Sequence, residues 1–337
     1  TLRARFRQLS LAERSRSQHP AKSPSSILMT SRYSDYDNWA WLYNQTMGPD
    51  YSQPQLDLLK RVLLPQIPVQ GDILDLCCGT GQLIQPLVEA GYRVTGLDGS
   101  EDMLSYARKN APQATYCLED ARTFDLENRF DGAFSTSASL NHLMTLEDLT
   151  QVFERVYASL KNGGIFVFDL NHPKQLERWW QGRPTEGALS RYYAWMITPH
   201  YNANLAQGDF QVSIFRSPAK APSLLEKLLS PFKQFIYSLL SRERFIGLRL
   251  KLIKNLNKIE PHWKHRTLTY PVKGHDLNQV KTALEKTGFK DISIQTIDGK
   301  SEIDTHHSAH FICSKPPSVP QPSSTQQTAT AQSATPS

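Results

Sequence analysis

Residues 73–82 read ILDLCCGTGQ: a short apolar run with an acid inside it, two cysteines and a Gly-x-Gly turn. The apolar run is too short for a helix and reads as a buried strand. The segment that follows, TGQLIQPLVEAG over 80–91, has helical spacing and closes on Gly91. Outward from there the chain alternates. YRVTGLD (92–98) reads as a strand, and SEDMLSYARKNA (100–111) as a helix with Ser100 as N-cap and acids in its first turn. ATYCLED (114–120) and FDGAFSTS (130–137) read as strands, LEDLTQVFERVYASLKNGG (146–164) as an amphipathic helix ending at a glycine pair, and IFVFDL (165–170) as a fifth strand. Upstream, Leu56, Leu59, Val62, Leu63 and Leu64 recur at helical spacing before Pro65 and Pro68. Strands alternating with helices predict an α/β, Rossmann-like, doubly wound and mostly parallel sheet, whose ligands bind at the carboxyl ends of the strands.

The loop after the first strand also says what it would hold. A dinucleotide loop reads G-x-G-x-x-G and lays a pyrophosphate on the following helix N-terminus. Here Gly79-Thr80-Gly81 lacks the third glycine, and Asp75 stands just ahead, where it would repel a phosphate. The site favours a cation. S-adenosylmethionine fits that demand, because it has an ammonium and a sulfonium and no phosphate, while glycines let the backbone approach a nucleoside closely.

LDLCCGTG, then VTGLDGSEDMLSYAR, LEDARTF, FDGAFSTSASLNHL and LKNGGIFVFDLN, taken in order and spacing over 33–171, resemble the class I S-adenosylmethionine-dependent methyltransferases. One departure is Cys77, where the family's D-x-G-C-G-x-G loop has its first glycine; a Cys-Cys-Gly-Thr-Gly version is similar to the quinone-biosynthesis members. The resemblance implies a seven-stranded sheet whose seventh strand is antiparallel, with S-adenosyl-L-methionine as cofactor. It implies that Asp75, Cys77, Gly79 and Gly81 surround the cofactor and that Asp98 accepts hydrogen bonds from both ribose hydroxyls. It further implies that Asp120 takes the adenine amino group beside the backbone of Ala121, and that Met103 packs on the adenine, plain core packing being the alternative for Met103. Within SRYSDYDNWAWLYN (31–44), Tyr33 and Tyr36 would belong to a helix covering the cofactor, and Trp39 to the core. After the fourth strand, Ser137 would face the cofactor, and Asn141 and His142 the transferred methyl. His142 is the candidate general base, since an unperturbed histidine titrates near ~6.5; a capping or surface histidine is the alternative. Asp169, Asn171 and His172 form a second polar cluster on the same rim.

Between the fifth and sixth strands lies a long insertion. RYYAWMI (191–197) and GDFQVSIF (208–215) are β-rich runs around a turn at Asn202, and WKHRTLTY (263–270) reads as a strand rejoining them. Between these, residues 224–256 alternate apolar pairs with Lys and Arg, the pattern of basic amphipathic helices that contact a membrane surface or simply present a solvated face. A helix from His275 to Gly288 and the strands DISIQTI (291–297) and SAHFICS (308–314) would complete the sheet.

The expected organisation is a basic disordered extension over 1–28, a cofactor-binding core over 29–190, a mixed β/α cap over 191–273, a closing helix and strands over 274–315, and a disordered tail over 316–337. The extension is Arg- and Ser-rich, like a transit peptide or an upstream extension before Met29. Charge is uneven. Residues 1–22 carry six basic side chains against one acidic, and 216–266 twelve against three, so the remainder of this +6 chain is net acidic. Four cysteines, two of them adjacent, match neither a disulfide framework nor zinc-ligand spacing, so no metal is expected.

These features predict a cytoplasmic methyltransferase, with peripheral membrane contact through 221–256 as the alternative to a solvated face, acting on a small lipophilic or aromatic metabolite. An Asn-Pro-Pro-Tyr motif is absent; in the superfamily that the chain resembles it accompanies methylation of exocyclic amides or amines of nucleobases and glutamine, so the resemblance disfavours such substrates. The rival readings are an RNA or DNA methyltransferase using the basic insertion, and a catalytically silent protein that binds the cofactor or a partner.

Overall fold

Four of the five residues of β1 (Asp72–Leu76) are buried, as in a strand covered on both faces. The computed structural model describes residues 34–218, 232–233 and 235–317. The expectations for 1–28, Tyr33, most of 221–234 and the tail beyond 317 lie outside them. β1 pairs in parallel with β2 (Arg93–Asp98) on one side and with β4 (Phe130–Ser135) on the other. The sheet has seven strands in the order β10-β11-β5-β4-β1-β2-β3, with β3 at Thr115–Leu118, β5 at Leu160–Leu170, β10 at Lys290–Gln295 and β11 at Ala309–Ser314. β11 runs antiparallel to both its neighbours, β5 and β10, and the other pairings are parallel. The chain reverses its direction of travel between β1 and β4, which puts the crevice at their carboxyl ends.

Helices cover both faces because both faces are apolar. Helices α1 (Ala40–Gln45), α2 (Met47–Val62), α3 (Ile84–Glu89), α4 (Glu101–Asn110) and α5 (Leu146–Ser159) precede β5. Leu149, Val152, Phe153 and Val156 of α5 pack with Phe166, Phe168 and Phe311 of the sheet on one face. Leu59, Leu63, Ile84 and Leu87 pack with Ile73, Phe134 and Val167 on the other. Two helices differ at their ends from the sequence reading: α3 begins only at Ile84, and α5 stops at Ser159, the glycine pair belonging to β5. Leu160 already pairs with Phe130, and Lys161 ties this end of the strand down by bridging Asp72 and Asp131, at 2.9 Å to each.

The insertion builds a second sheet, antiparallel throughout, in the order β6-β7-β8-β9. Its strands are β6 (Glu186–Leu189), β7 (Tyr193–Asn202), β8 (Gln207–Arg216) and β9 (Lys264–Lys273). It therefore starts ahead of residue 191. A short helix α6 (Pro173–Trp179) leads into it. Strand alternation splits its side chains. Trp195, Val212, Ile214 and Tyr270 pack against Trp39, Leu42 and Met47 from the N-terminal helices. Ala194, Leu189 and Phe215 pack against Tyr237, Leu240 and Ile253, the last from α7 (Ile246–Lys254). Ile246 and Leu248 of α7 remain exposed, as do Phe232 and Phe235. No described helix is long and apolar enough to cross a membrane. Helix α8 (Leu277–Thr287), capped by Asp276, returns the chain to the first sheet.

Candidate functional site

The turn after β1 is held in backbone conformations that side chains rarely adopt. Cys77, Gly79 and Gly81 have φ of +61°, +54° and +74°. At Gly81 a Cβ would meet the Cβ of Ala107 at 3.0 Å, so this glycine lets α4 close on the loop. Cys77 adopts the same region without that freedom, at a cost of ~1 kcal/mol. It belongs to the turn where the family motif has glycine.

Asp98 ends β2 and accepts the backbone N–H of Gly79 at 2.8 Å and of Ser100 at 2.9 Å. Burial pushes its carboxyl up to about 6, against the lowering effect of those two donors. Ser100 caps α4 by accepting the N–H of Met103 at 3.2 Å, and donates its hydroxyl to the Asp37 carboxylate. Met103 is thereby fixed in the first turn, buried beside Asp98 and Ala121. Asp75 is 3% exposed and lies behind the loop, in a small recess shared with Tyr43, Gly79 and Ser137. Burial raises its carboxyl well above the usual range, and the Asp98 carboxylate raises it further.

Asp98, Met103, Ala121, Cys77 and Gly79 border one cavity of about 610 Å³, opening between the two sheets; Asp75 and Gly81 lie outside its wall. Tyr36, Trp39 and Tyr43 of the N-terminal segment, Ser137, Ala138, His142 and Asp169 of the first sheet's rim, and Glu186, Phe210 and Tyr270 of the second sheet complete that wall. Ser137 and Ala138 both have positive φ, and Asp169 holds that loop by accepting the Ala138 N–H at 3.1 Å. His142 stands where the three parts meet. Its Nδ1 lies 2.9 Å from the Pro271 carbonyl, which can only accept, so the proton sits on Nδ1. Its Nε2 then accepts the Tyr36 hydroxyl at 2.6 Å. Burial raises the Tyr36 phenol well above its ordinary range, with Tyr270 adding to the effect.

Two expected site residues have their side chains engaged by other groups of the chain. The Asp120 carboxylate does not border the cavity; the Arg122 guanidinium grips both of its oxygens, at 2.7 Å from Nη2, and bridges on to Asp148. Glu119 and Ala121, its neighbours, border the cavity instead. Asn141 is 1% exposed, and its amide is spent on the backbone. Its Nδ2 donates to the carbonyls of Asn171 at 2.9 Å and Lys273 at 2.6 Å, and its Oδ1 accepts the Asn171 N–H at 2.9 Å. It clamps the second sheet to the first, and although it borders the cavity, both of its amide hydrogens are taken by the backbone.

The sequence reading missed Tyr43, Glu119, Glu186, Phe210 and Tyr270 as cavity residues. Phe210 and Tyr270 are partners across the β8–β9 ladder, and alternation along those strands would have placed them on one face. The strand β6 was not predicted, so nothing in the sequence pointed to Glu186.

A family model described as a methyltransferase domain matches residues 73–164, from β1 into β5. The chain carries a class I methyltransferase domain. Its cofactor is S-adenosylmethionine, and the site fits it: the Asp98 carboxylate against the glycine loop at the cavity wall, buried Asp75 behind that loop, and no Lys or Arg among the described lining residues. The methyltransferase domain is similar to the putative methyltransferase YqeM of Bacillus subtilis, 34% identical over 140 residues, covering 40% of this chain and 55% of that protein. It is also similar to a dTDP-3-amino-3,4,6-trideoxy-α-D-glucopyranose N,N-dimethyltransferase of Streptomyces venezuelae, 32% identical over 133 residues, covering 40% of this chain and 52% of the other. The chain thus spans about half the length of the curated relatives it matches. The fold resembles the crystal structure of a S-adenosylmethionine-dependent methyltransferase from Clostridium acetobutylicum, with a TM-score of 0.60 at 16% identity over 83% of this chain and 99% of that one.

Proposed function

We propose that the protein transfers a methyl group from S-adenosylmethionine to a small-molecule acceptor. The observation that carries this is a continuous cavity joining Asp98 and the glycine loop, on the cofactor side, to His142 and the second sheet, on the acceptor side. In this reading the Asp98 carboxylate has lone pairs left for two ribose hydroxyls, Met103 and Ala121 flank the adenine, and Asp75 faces the ammonium across Tyr43. Cys77, Gly79, Gly81 and Ser137 shape the backbone around the cofactor, and Tyr36 closes over it.

When bound, S-adenosylmethionine supplies an electrophilic methyl on a sulfonium. The chain's part is then positioning, which supplies ~7–11 kcal/mol in favourable cases, and removal of one acceptor proton. The Tyr36–His142 pair suits that removal, since Tyr36 can take the acceptor's proton as its own passes to Nε2 of His142. An amino acceptor is favoured over a nucleic acid, because three relatives are named as N,N-dimethyltransferases of dTDP-linked amino sugars, whose amine and not whose nucleotide carries the comparison, and because the cavity wall is acidic.

Calorimetric titration with S-adenosylmethionine and with its demethylated product, using NAD as control, tests this reading. Saturable binding of the first two and not of NAD is the expected result. Binding of NAD alone would sink it.

A further inference from the structure

We propose that the methyl acceptor is a ring-bearing amine without phosphate or carboxylate groups, seated on the aromatic wall of the second sheet and held by the Glu186 carboxylate. This rests on the methyl-transfer reading above and narrows it to a substrate class.

The wall's charge is one-sided. Asp50, Asp98, Glu119, Asp169 and Glu186 border the cavity, and among its described lining residues there is no Lys or Arg. Asp98 and Glu119 lie on the cofactor side. Glu186 stands on the second sheet, where it accepts the Tyr51 hydroxyl at Oε2, and Asp50, the exposed chain neighbour of Tyr51, borders the same cavity. Burial raises the Tyr51 phenol, and the adjoining Glu186 carboxylate raises it further, so Tyr51 stays a donor and Glu186 an oriented acceptor. A phosphate or carboxylate is normally met by a guanidinium fork, an ammonium or a ring of backbone N–H groups. An anionic acceptor here would instead face two carboxylates.

The remaining wall supplies what a cationic ring compound needs. Phe210 and Tyr270 lie nearly parallel, 5.2 Å apart at 28°. Tyr36 continues the surface at 4.6 Å from Tyr270, and Trp180 meets Phe210 edge-on at 6.2 Å. Aromatic faces attract cations and the C–H edges of rings, and they do so without fixing a hydrogen-bond pattern. His142 touches the same patch, 5.7 Å from Phe210 between ring centres. An amine lying on these rings can therefore reach the Tyr36–His142 pair.

The step balances. The amine enters as an ammonium and gives one proton through Tyr36 to His142 Nε2. Its freed lone pair forms the new C–N bond while the C–S bond breaks, and that electron pair stays on sulfur as the neutral thioether. The product leaves as a methylammonium, and His142 returns its proton to solvent.

The test compares tyramine and glucosamine, each beside its phosphorylated counterpart, O-phosphotyramine and glucosamine 1-phosphate. Affinity is read by calorimetry on the full chain saturated with S-adenosylhomocysteine, and turnover by release of that product from S-adenosylmethionine. We expect at least one free amine to bind, and its phosphorylated form to bind at least about thirtyfold more weakly, the scale of an unpaired like-charge contact. Glu186→Gln should weaken amine binding about tenfold while leaving S-adenosylhomocysteine affinity unchanged. Equal or tighter binding of a phosphorylated compound overturns the proposal. So does failure of both amines to bind a chain that has bound S-adenosylhomocysteine. Failure of S-adenosylhomocysteine itself to bind would instead overturn the methyl-transfer reading.

Discussion

Asp98 carries the most direct consequences at the residue scale. Removing its carboxylate in Asp98→Ala costs two charge-assisted hydrogen bonds of ~1.5 kcal/mol each, so affinity for S-adenosylmethionine should fall about a hundredfold. Circular dichroism should show an unchanged fold, and an unaltered Kd would place the ribose elsewhere. The same group sets a pH dependence. Burial raises its carboxyl to about 6 in the free protein, while the cofactor needs it ionised as a double acceptor. Affinity should therefore hold above pH 6 and weaken about tenfold per unit below it, and Asp98→Asn should flatten that limb of the calorimetric profile. The sign for stability is opposite. The buried carboxyl is easier to accommodate protonated, so its contribution is fully present below the ordinary aspartate range near ~4 and is lost as pH rises through the raised value. His142→Ala should lower kcat by roughly a hundredfold or more while leaving cofactor Kd within about threefold. Equal losses in both would mean that His142 only props up Tyr36. Position along the strand was enough to bring Asp98, Met103 and Ala121 to the cavity. It was not enough to show that the Asp120 carboxylate stays out of the cavity, or that the amide of Asn141, which borders it, is already hydrogen-bonded, because competition for a polar group is invisible in spacing. Arg122, two residues on, claims the first, and the Lys273 carbonyl, 132 residues on, claims the second.

At the scale of elements, alternating apolar periods were sufficient for β1 through β5 and their helices, since each period is a local property. The end of α5 was misplaced because the pair Gly163-Gly164 looks like a helix stop, whereas the decisive partners of Lys161 lie on β1 and β4. Two changes separate structural from functional turns. Thr145 accepts the Asp148 N–H at 3.0 Å at the start of α5, away from the cavity. Thr145→Ala should cost ~1 kcal/mol in denaturant unfolding, with cofactor binding unaffected. Gly81→Ala should cost ~1–3 kcal/mol and also weaken the cofactor, because the added methyl presses Ala107 at 3.0 Å in a backbone conformation that disfavours alanine. Unfolding midpoints together with Kd distinguish the two.

For the whole molecule, the second sheet was legible as strands but not as a wall. Which face of β7–β9 meets the N-terminal helices depends on partners more than a hundred residues away. Asn141 is one fastening between the halves, next to the bond from His142 Nδ1 to the Pro271 carbonyl. Asn141→Ala would leave two carbonyls and one N–H of the buried junction without their partner, at ~1–3 kcal/mol for each group that water cannot reach. Hydrogen exchange should quicken in β9 before β1, and acceptor turnover should fall further than cofactor affinity. Uniform loss across both sheets would show that Asn141 supports the fold at large.

The position of β11 bears on how the chain is made. It is the last strand of its sheet to leave the ribosome, yet it lies between β5 and β10, both synthesised earlier. Until residue 314 emerges, β5 has an open edge of unpaired backbone groups and β10 has no neighbour to join. Open edges recruit other strands. A nascent or truncated chain lacking Ala309–Ser314 should therefore cluster with others of its kind, and the closing strand serves as the release from that hazard.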